Sequence, residues 1–145
     1  MIYEFCAENV TLLEKAMQAG ARRIELCDNL AVGGTTPSYG VTKAAVELAA
    51  NYDTTIMTMI RPRGGDFVYN DLEIAIMLED IRMTAQAGSQ GVVFGVLTAD
   101  KKLDKPNLEK LMAASKGMEI VFHMAFDELS EEDQLEAIDW LSQAG

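Results

Sequence analysis

The stretch TTIMTMIRPRGGDF, residues 54–67, joins an apolar run to a loop that contains two arginines, a proline and two glycines. Its first seven residues have the composition of a buried strand, because apolar and β-branched side chains follow one another without a break. Pro62 and the pair Gly64 and Gly65 then end this pattern. The stretch therefore predicts a strand that runs into a loop at its carboxyl end.

The same order, a short apolar run followed by an amphipathic segment, occurs five times along the chain. The apolar runs are IYEFC, RRIELC, TTIMTMI, QGVVFGVL and MEIVFH, and the segments after them span residues 10–19, 41–50, 71–87, 107–116 and 131–144. Strands that alternate with helices in this way are typical of a parallel sheet with right-handed crossovers. We therefore expect an α/β fold.

The tripeptide QAG ends three of the predicted helices, at Gly20, Gly88 and Gly145, and glycine is the usual residue at a helix end. Eight strand–helix units of about 29 residues would need about 230 residues, the size of a small TIM (β/α)8 barrel. We therefore expect a single domain over residues 1–145 that covers the first five βα units of such a barrel and lacks its C-terminal strands. A complete five-stranded doubly wound sheet is the alternative, although its central strands would be apolar throughout.

Composition excludes several classes of function. The chain has 23 acidic and 12 basic residues and a formal net charge of -11, so we expect no nucleic-acid partner. No apolar run approaches the roughly 20 residues that span a bilayer, and the N-terminus carries Glu4 and Glu8 in place of a basic segment. We therefore expect no membrane partner and a cytoplasmic location. The two cysteines form no CxxC pair, which argues against a structural zinc site or a disulfide framework.

Side-chain alternation places several chemically active residues inside the predicted barrel. In the first two strands Tyr3, Phe5, Ile24 and Leu26 are expected to face the helices, so the opposite parity faces inward: Glu4, Cys6, Glu25 and Cys27. The same rule, applied to the third and fifth strands, places Met57, Met59, Arg61 and His123 inward. Buried charges need partners, so we expect Arg61 to pair with Glu25 or Glu4.

Four of these residues, Cys6, Cys27, Arg61 and His123, fall at carboxyl ends of strands, where barrels of this type carry their chemistry. Three loops follow these strand ends. In the loop after Arg61 we expect Arg63, Gly64, Gly65 and Asp66 to bind an anion, because glycine amides approach an anion closely. The loop at residues 28–40 is expected to line the same site, and the loop at residues 123–130 to bring Asp127 toward His123.

The motifs RIELC, GGTTPS, MIRPRGGDFVYND and FHMAFD, in this order, resemble those of the CutC family. The resemblance covers the full chain and implies a cytosolic TIM barrel that serves copper homeostasis, with copper(I) as the proposed ligand. One departure is visible: the family pattern HRAFD has an arginine where this chain has Met124.

Two hypotheses of function remain open. In the first, the protein binds copper(I) without catalysis through Cys6 and Cys27 at equivalent heights, helped by Met59 or His123, because copper(I) prefers soft ligands. In the second, the protein is an enzyme for a small anionic metabolite. Arg61 and Arg63 are predicted to clamp the anion, and Glu4 is a further candidate for ligand binding. Glu25 or His123 is predicted to move a proton, and Asp127 to orient the histidine. In either case an incomplete barrel exposes sheet edges, which predicts a homo-oligomer.

Overall fold

The computed structural model describes residues 1–144, and within them five strands alternate with five helices. The strands are β1 (Glu4–Glu8), β2 (Arg23–Cys27), β3 (Thr55–Met59), β4 (Gly91–Phe94) and β5 (Glu119–Phe122). The helices are α1 (Leu13–Gln18), α2 (Tyr39–Ala49), α3 (Asp71–Ala87), α4 (Lys105–Ala114) and α5 (Glu131–Ala144). Short 3₁₀ turns span Leu30–Val32 and Met124–Glu128.

All four strand pairings are parallel, and the strand order in the sheet is the chain order, β1-β2-β3-β4-β5. The predicted α/β fold with a parallel sheet is confirmed. A doubly wound sheet reverses its strand order at a switch point. This sheet has no such reversal within the described residues, so the doubly wound alternative is wrong.

One face of the sheet packs against the helices. Ile24, Leu26 and Ile56 are fully buried there, in a cluster that includes Leu13 and Met17. A second cluster packs side chains of β4 against α3 and α4: Val92, Phe94, Met77, Ile81, Leu108 and Leu111. Burial of one such side chain contributes about 2 kcal/mol. Phe5 is partly buried against the first cluster, as predicted, whereas Tyr3 precedes β1 and is 65% exposed.

The opposite face of the sheet carries the side chains that alternation placed inward. Cys27, Met57, Met59 and Val93 form a buried cluster there, with Val121 packed against it. The thioether of Met57 fills the space above Gly91, where any β-carbon would overlap it. The predicted parity of β2 and β3 is therefore confirmed.

Ion pairs on this inner face join neighbouring and more distant strands. Arg23 at the start of β2 forms an ion pair with Glu4 in the neighbouring strand, and its Nη1 also lies 3.9 Å from a carboxylate oxygen of Glu119 in β5. In a flat sheet β2 and β5 would be about 14 Å apart, since adjacent strands are about 4.8 Å apart. The contact of Arg23 with Glu119 therefore bridges two intervening strands through two long side chains on the inner face.

Helix ends follow the predicted glycine pattern in part. Gly88 follows α3 with a left-handed φ of 91°. Gly20 closes α1 in the same way, with a φ of 104° and backbone hydrogen bonds from Gly20 to the carbonyl of Met17 and from Ala21 to that of Ala16. The third predicted helix stop, Gly145, lies outside the described residues. Within residues 1–144 no helix has both the length and the apolar character that a membrane crossing requires.

Candidate functional site

Two thiols and one carboxylate converge on the inner face of the sheet. Cys6 lies in β1, Glu25 and Cys27 lie in β2, and their sulfur and carboxylate oxygen atoms are all within 4.8 Å of one another. Cys6 pairs in register with Glu25, and Cys27 pairs with Glu8. The expectation that the two cysteines lie at equivalent heights is therefore wrong, because they are offset by two residues in the register of the strands. Their sulfur atoms are nevertheless within 4.8 Å of each other. His123 is not a member of this group in the described part of the chain.

Glu25 connects the two thiols. Its Oε1 lies 3.7 Å from Cys6 Sγ and 3.8 Å from Cys27 Sγ, so each thiol can donate a weak sulfur hydrogen bond to it. Burial raises the pKa of Glu25, and the nearby charge of Glu4 raises it further. Burial is also the main cause that raises the pKa of Cys6 and, far more strongly, that of Cys27. Both thiols are therefore protonated at neutral pH, and a metal ion has to displace their protons to bind.

Two methionines lie beside Cys27. Met59 and Met57 are both buried in the inner cluster that contains Cys27, and a thioether is a soft donor that suits copper(I). The role of Met59 as a metal ligand stays a prediction. Met57 has the same environment, and the alternation of β3 places it on this face, but the sequence alone does not indicate a role for it.

The loop between β2 and α2 covers Cys27. Gly34 has a left-handed φ of +89°, and a β-carbon on it would lie 3.0 Å from Cys27 Sγ and 3.3 Å from Cys27 Cβ. Glycine is needed here both for its backbone conformation and for the close approach. The loop at residues 28–40 therefore lies over Cys27, while Cys6 stays exposed.

Arg61 is buried, with 2% of its surface exposed, just beyond the end of β3. Its Nη1 donates hydrogen bonds to the carbonyls of Val32 at 2.7 Å and Gly34 at 2.8 Å, and its Nη2 donates to the carbonyl of Gly65 at 2.9 Å. The expected pairing of Arg61 with Glu25 or Glu4 is wrong. Backbone carbonyls take the place of a carboxylate.

Arg63 has partners different from those of Arg61. Its guanidinium forms ion pairs with Glu73 at 2.5 Å and Asp66 at 3.1 Å, and it lies over the ring of Tyr69. These contacts hold the pKa of Glu73 and of Asp66 below their usual values. Because both carboxylates occupy Arg63, the expected anion clamp of Arg61 with Arg63 is wrong in its geometry.

The two glycines of this loop serve its backbone. Gly65 has a left-handed φ of +87°, and its carbonyl accepts the hydrogen bond from Arg61. Gly64 packs so closely on Val32 that a β-carbon would lie 2.8 Å from Val32 Cβ. The part that Gly64, Gly65 and Asp66 were expected to take in binding a ligand stays a prediction.

His123 is 7% exposed and directly follows β5. Its Nδ1 accepts a hydrogen bond from the backbone N–H of Ala125 at 3.2 Å, and its ring centre lies 5.0 Å from that of Phe67. Burial lowers the pKa of His123 to about 4, and the charge of Arg61 lowers it in the same direction. Asp127 is exposed on the following 3₁₀ turn and forms no hydrogen bond with His123, so the expectation that it orients the histidine is wrong.

Phe67 and Tyr69 belong to this region although the sequence analysis assigns them no role. The guanidinium carbon of Arg61 lies 5.0 Å from the centre of the Phe67 ring, and the buried hydroxyl of Tyr69 has no hydrogen-bond partner. Both residues follow the glycine pair in the loop that opens with Arg61. Strand parity gives no indication of these two residues, because they lie in a loop and not in a strand.

The class of protein follows from these features: a parallel α/β protein, wound in chain order, with a pair of thiols on the inner face of its sheet. The family model described as the CutC family matches residues 1–145. The chain belongs to the CutC family, as its motifs predict.

Relatives and a solved structure agree with this assignment. The CutC family proteins of Enterococcus faecalis and Streptococcus pyogenes are each 53% identical to this chain over 145 residues, which are 100% of this chain and 69% of each relative. The crystal structure of the CutC protein from Streptococcus agalactiae, whose name refers to copper homeostasis, matches with a TM-score of 0.93 at 50% identity. That match covers 97% of this chain and 67% of the other.

Proposed function

We propose that this protein serves copper homeostasis by binding copper(I) as its cargo at Cys6 and Cys27. The observation that carries the proposal is the convergence of two thiols and one carboxylate within 4.8 Å. Copper(I) favours thiolate and thioether ligands, and the buried thioethers of Met57 and Met59 lie in the same cluster as Cys27. The name of the Streptococcus agalactiae protein, which refers to copper homeostasis, points in the same direction.

The donor set fits a soft ion better than a hard one. Two sulfur atoms dominate the group, and the inner cluster around Cys27 offers apolar and thioether surface in place of oxygen ligands. Calcium and magnesium need six or more oxygen ligands, including water. Cys6 is exposed whereas Cys27 is buried, so an ion would meet Cys6 first and then Cys27.

The experiment compares copper(I) affinity in the parent protein and in the double variant Cys6→Ser, Cys27→Ser, by competition with a copper(I) chelator under reducing conditions. Serine is nearly isosteric with cysteine, so the fold should persist and binding should fall to background. The exposed variant Ser142→Ala, on α5, is the matched control and should bind copper(I) like the parent. Unchanged copper(I) affinity in the double cysteine variant would show that Cys6 and Cys27 do not bind the ion.

We also propose that these residues are the first five βα units of a TIM (β/α)8 barrel and that the protein works in the cytoplasm. The chain-order sheet and the contact of Arg23 with Glu119 across two intervening strands support the barrel. The relatives extend beyond the matched part, since 145 residues are 69% of their length. Association between copies would cover the edge strands β1 and β5 of the described sheet.

The second candidate function is a barrel enzyme for a small anionic metabolite. One observation favours it: Arg61 and His123, which copper(I) binding at the thiols does not require, are both buried and both pack on Phe67. Arg61 would bind the anion, and His123 or Glu25 would move a proton. Arg63 and Asp127 have no role in this proposed enzyme, because Arg63 pairs with Glu73 and Asp66 and Asp127 is exposed.

A further inference from the structure

Arg61 is a buried cation without a carboxylate. Within residues 1–144 two other arginines of the loop and sheet have acidic partners: Arg23 pairs with Glu4, and Arg63 pairs with Glu73. The guanidinium of Arg61 has three carbonyl oxygens instead. Carbonyl dipoles offset part of the cost of burying the charge, and an anion beside the guanidinium would offset more of it.

The hydrogen-bond count of Arg61 shows where such an anion would lie. A guanidinium has five N–H donors, and the contacts to Val32, Gly34 and Gly65 occupy both donors of Nη1 and one of Nη2. One donor on Nη2 and the donor on Nε remain, and Nε is buried without a partner. Nε and Nη2 lie on one edge of the planar fork, the edge that binds two oxygens of a carboxylate or a phosphate.

Two further buried donors lie near this edge. The Nδ1 of His123 accepts a hydrogen bond from Ala125, so a neutral ring carries its proton on Nε2, which is buried and unpartnered. The hydroxyl of Tyr69 is likewise buried and unpartnered. Burial raises the pKa of Tyr69, and the charge of Arg61 and a polar contact of its guanidinium with the hydroxyl oppose that rise. The hydroxyl therefore lies beside the guanidinium, but outside hydrogen-bond geometry. Buried polar groups in proteins nearly always have partners, and all three of these groups can donate.

Phe67 separates these donors from a cavity. Its ring contacts the guanidinium of Arg61 and the ring of His123, each at 5.0 Å. It also lines a cavity of about 550 Å³ together with Gly65, Leu97 and the ion pair of Lys101 with Glu128. Rotation of the Phe67 ring would therefore open a path from the cavity to the unpartnered donors.

We propose that Arg61, Tyr69 and His123 form a binding site for a small oxyanion, a carboxylate or a phosphate, which enters from this cavity when Phe67 moves. The inference rests on the second candidate function, whose anionic metabolite it narrows to a ligand with two adjacent acceptor oxygens. It adds Tyr69 and Phe67 to the residues involved. It is independent of copper binding at the thiols.

The test uses the single histidine of the chain, whose imidazole gives one unambiguous NMR signal. The 145-residue protein is titrated with acetate and, separately, with inorganic phosphate, with sodium chloride holding the ionic strength constant. We expect a saturable shift of the His123 signal with at least one of the two anions, and the anion that gives the tighter binding identifies the class. The double variant Cys6→Ser, Cys27→Ser should give the same affinity, which separates this site from the copper proposal.

Three variants test the residues of the site. Tyr69→Phe removes one hydroxyl and should weaken anion binding about tenfold, the effect of one hydrogen bond to a charged group. Phe67→Ala should speed the approach to equilibrium. Tyr52→Phe is the matched control: its hydroxyl lies 2.7 Å from Glu14, away from the site, and its loss should leave anion binding unchanged.

Two results would overturn the site. One is the absence of a saturable shift with either anion in both the parent and Phe67→Ala. The other is equal anion affinity in Tyr69→Phe and the parent. Saturable binding of either anion would support the site without deciding whether the protein is an enzyme, so the two proposals fail on different results.

Discussion

Gly34 holds its backbone directly against the thiol of Cys27, so that a β-carbon at this position would lie 3.0 Å from Cys27 Sγ. The carbonyl of the same glycine accepts a hydrogen bond from Arg61 at 2.8 Å. Arg61 therefore holds in place the loop that covers the candidate copper site. Gly34 thus contacts both the thiol site and the buried arginine, although different ligands are proposed for the two.

Gly34→Ala should both destabilise the protein and weaken copper(I) binding. The backbone has a φ of +89°, which costs an alanine about 1 kcal/mol, and the new methyl group would also displace Cys27 Sγ. Chemical denaturation and chelator competition measure the two effects. Gly117→Ala is the matched control, because its φ is +91° and nothing lies within 4 Å of the added carbon. If both variants bind copper(I) equally well, the contact of Gly34 with Cys27 has no role in the site.

Arg61→Lys should cost more stability than Arg63→Lys. Lysine keeps the charge but cannot reach three carbonyls with one planar fork, so we expect a loss of about 2–3 kcal/mol at the buried position. Arg63 is 38% exposed in its side chain, and the loss of its fork should cost about 1 kcal/mol or less. Urea unfolding of the two variants and the parent provides the comparison.

A double-mutant cycle tests the partner of Arg61. Because Arg61 contacts no carboxylate in the described chain, Arg61→Lys and Glu25→Gln should be additive in their effects on the free energy of unfolding, within about 0.5 kcal/mol. A coupling energy well above this value would restore the pairing of Arg61 with Glu25 that the sequence suggests.

The sequence predicts the fold better than it predicts the contacts of the site. Alternation of apolar runs and amphipathic segments is a local property, and it predicts every strand and helix of the described chain. Strand parity likewise places Cys6, Glu25 and Cys27 on one face. Both patterns depend on the period of the backbone and need no knowledge of distant residues.

The partners of the charged residues could not be predicted in the same way. The expectation that a buried charge pairs with an opposite charge predicts Glu25 or Glu4 as the partner of Arg61. It leaves backbone carbonyls out of account. Val32, Gly34 and Gly65 supply three carbonyls that accept hydrogen bonds from Arg61. Such acceptors are present at every residue, so sequence gives no sign of which ones a loop will offer. Asp127 was placed near His123 by its position in the chain alone, and the 3₁₀ turn directs it to solvent.

His123 should make the protein less stable in mild acid. Its folded pKa of about 4 lies below the ordinary value of 6.5, so between these pH values the unfolded chain binds more protons and stability falls as pH falls. The loss attributable to this residue should approach about 3 kcal/mol, since each pKa unit corresponds to about 1.4 kcal/mol. NMR titration should show the folded imidazole still neutral at pH 5.

The variant His123→Asn isolates this effect. The asparagine side-chain oxygen can accept the hydrogen bond from Ala125 that His123 Nδ1 accepts, but it does not titrate. Urea unfolding at pH 7 and pH 4.5 should show a smaller loss in the variant than in the parent. Equal losses would mean that the histidine is accessible to protons in the folded protein.

The edges of the sheet should make the protein associate. β1 and β5 are the edge strands of the described sheet, and Ile2, Val10 and Leu12 are exposed beside β1. Unpaired strand edges are templates for another chain. Analytical ultracentrifugation of the 145-residue protein should show concentration-dependent association or aggregation. A monodisperse 15.9 kDa monomer that unfolds cooperatively would contradict the proposed five units of an open barrel.

Cys6 and Cys27 should resist formation of a disulfide although their sulfur atoms are close. The two residues lie on adjacent strands and are offset by two positions in register, so their α-carbons are about 8 Å apart, given about 4.8 Å between strands and about 3.3 Å per residue. A disulfide requires less than about 7 Å. Oxidised glutathione should therefore leave the Cys6–Cys27 bond unformed in the folded protein, as thiol counting and peptide mass spectrometry would show. The same treatment in urea, where the strands no longer fix the distance, should form the bond and serves as the control. A Cys6–Cys27 disulfide in the folded protein would contradict this distance argument. It would also mean that the two thiols can be oxidised and are then not available to bind copper(I).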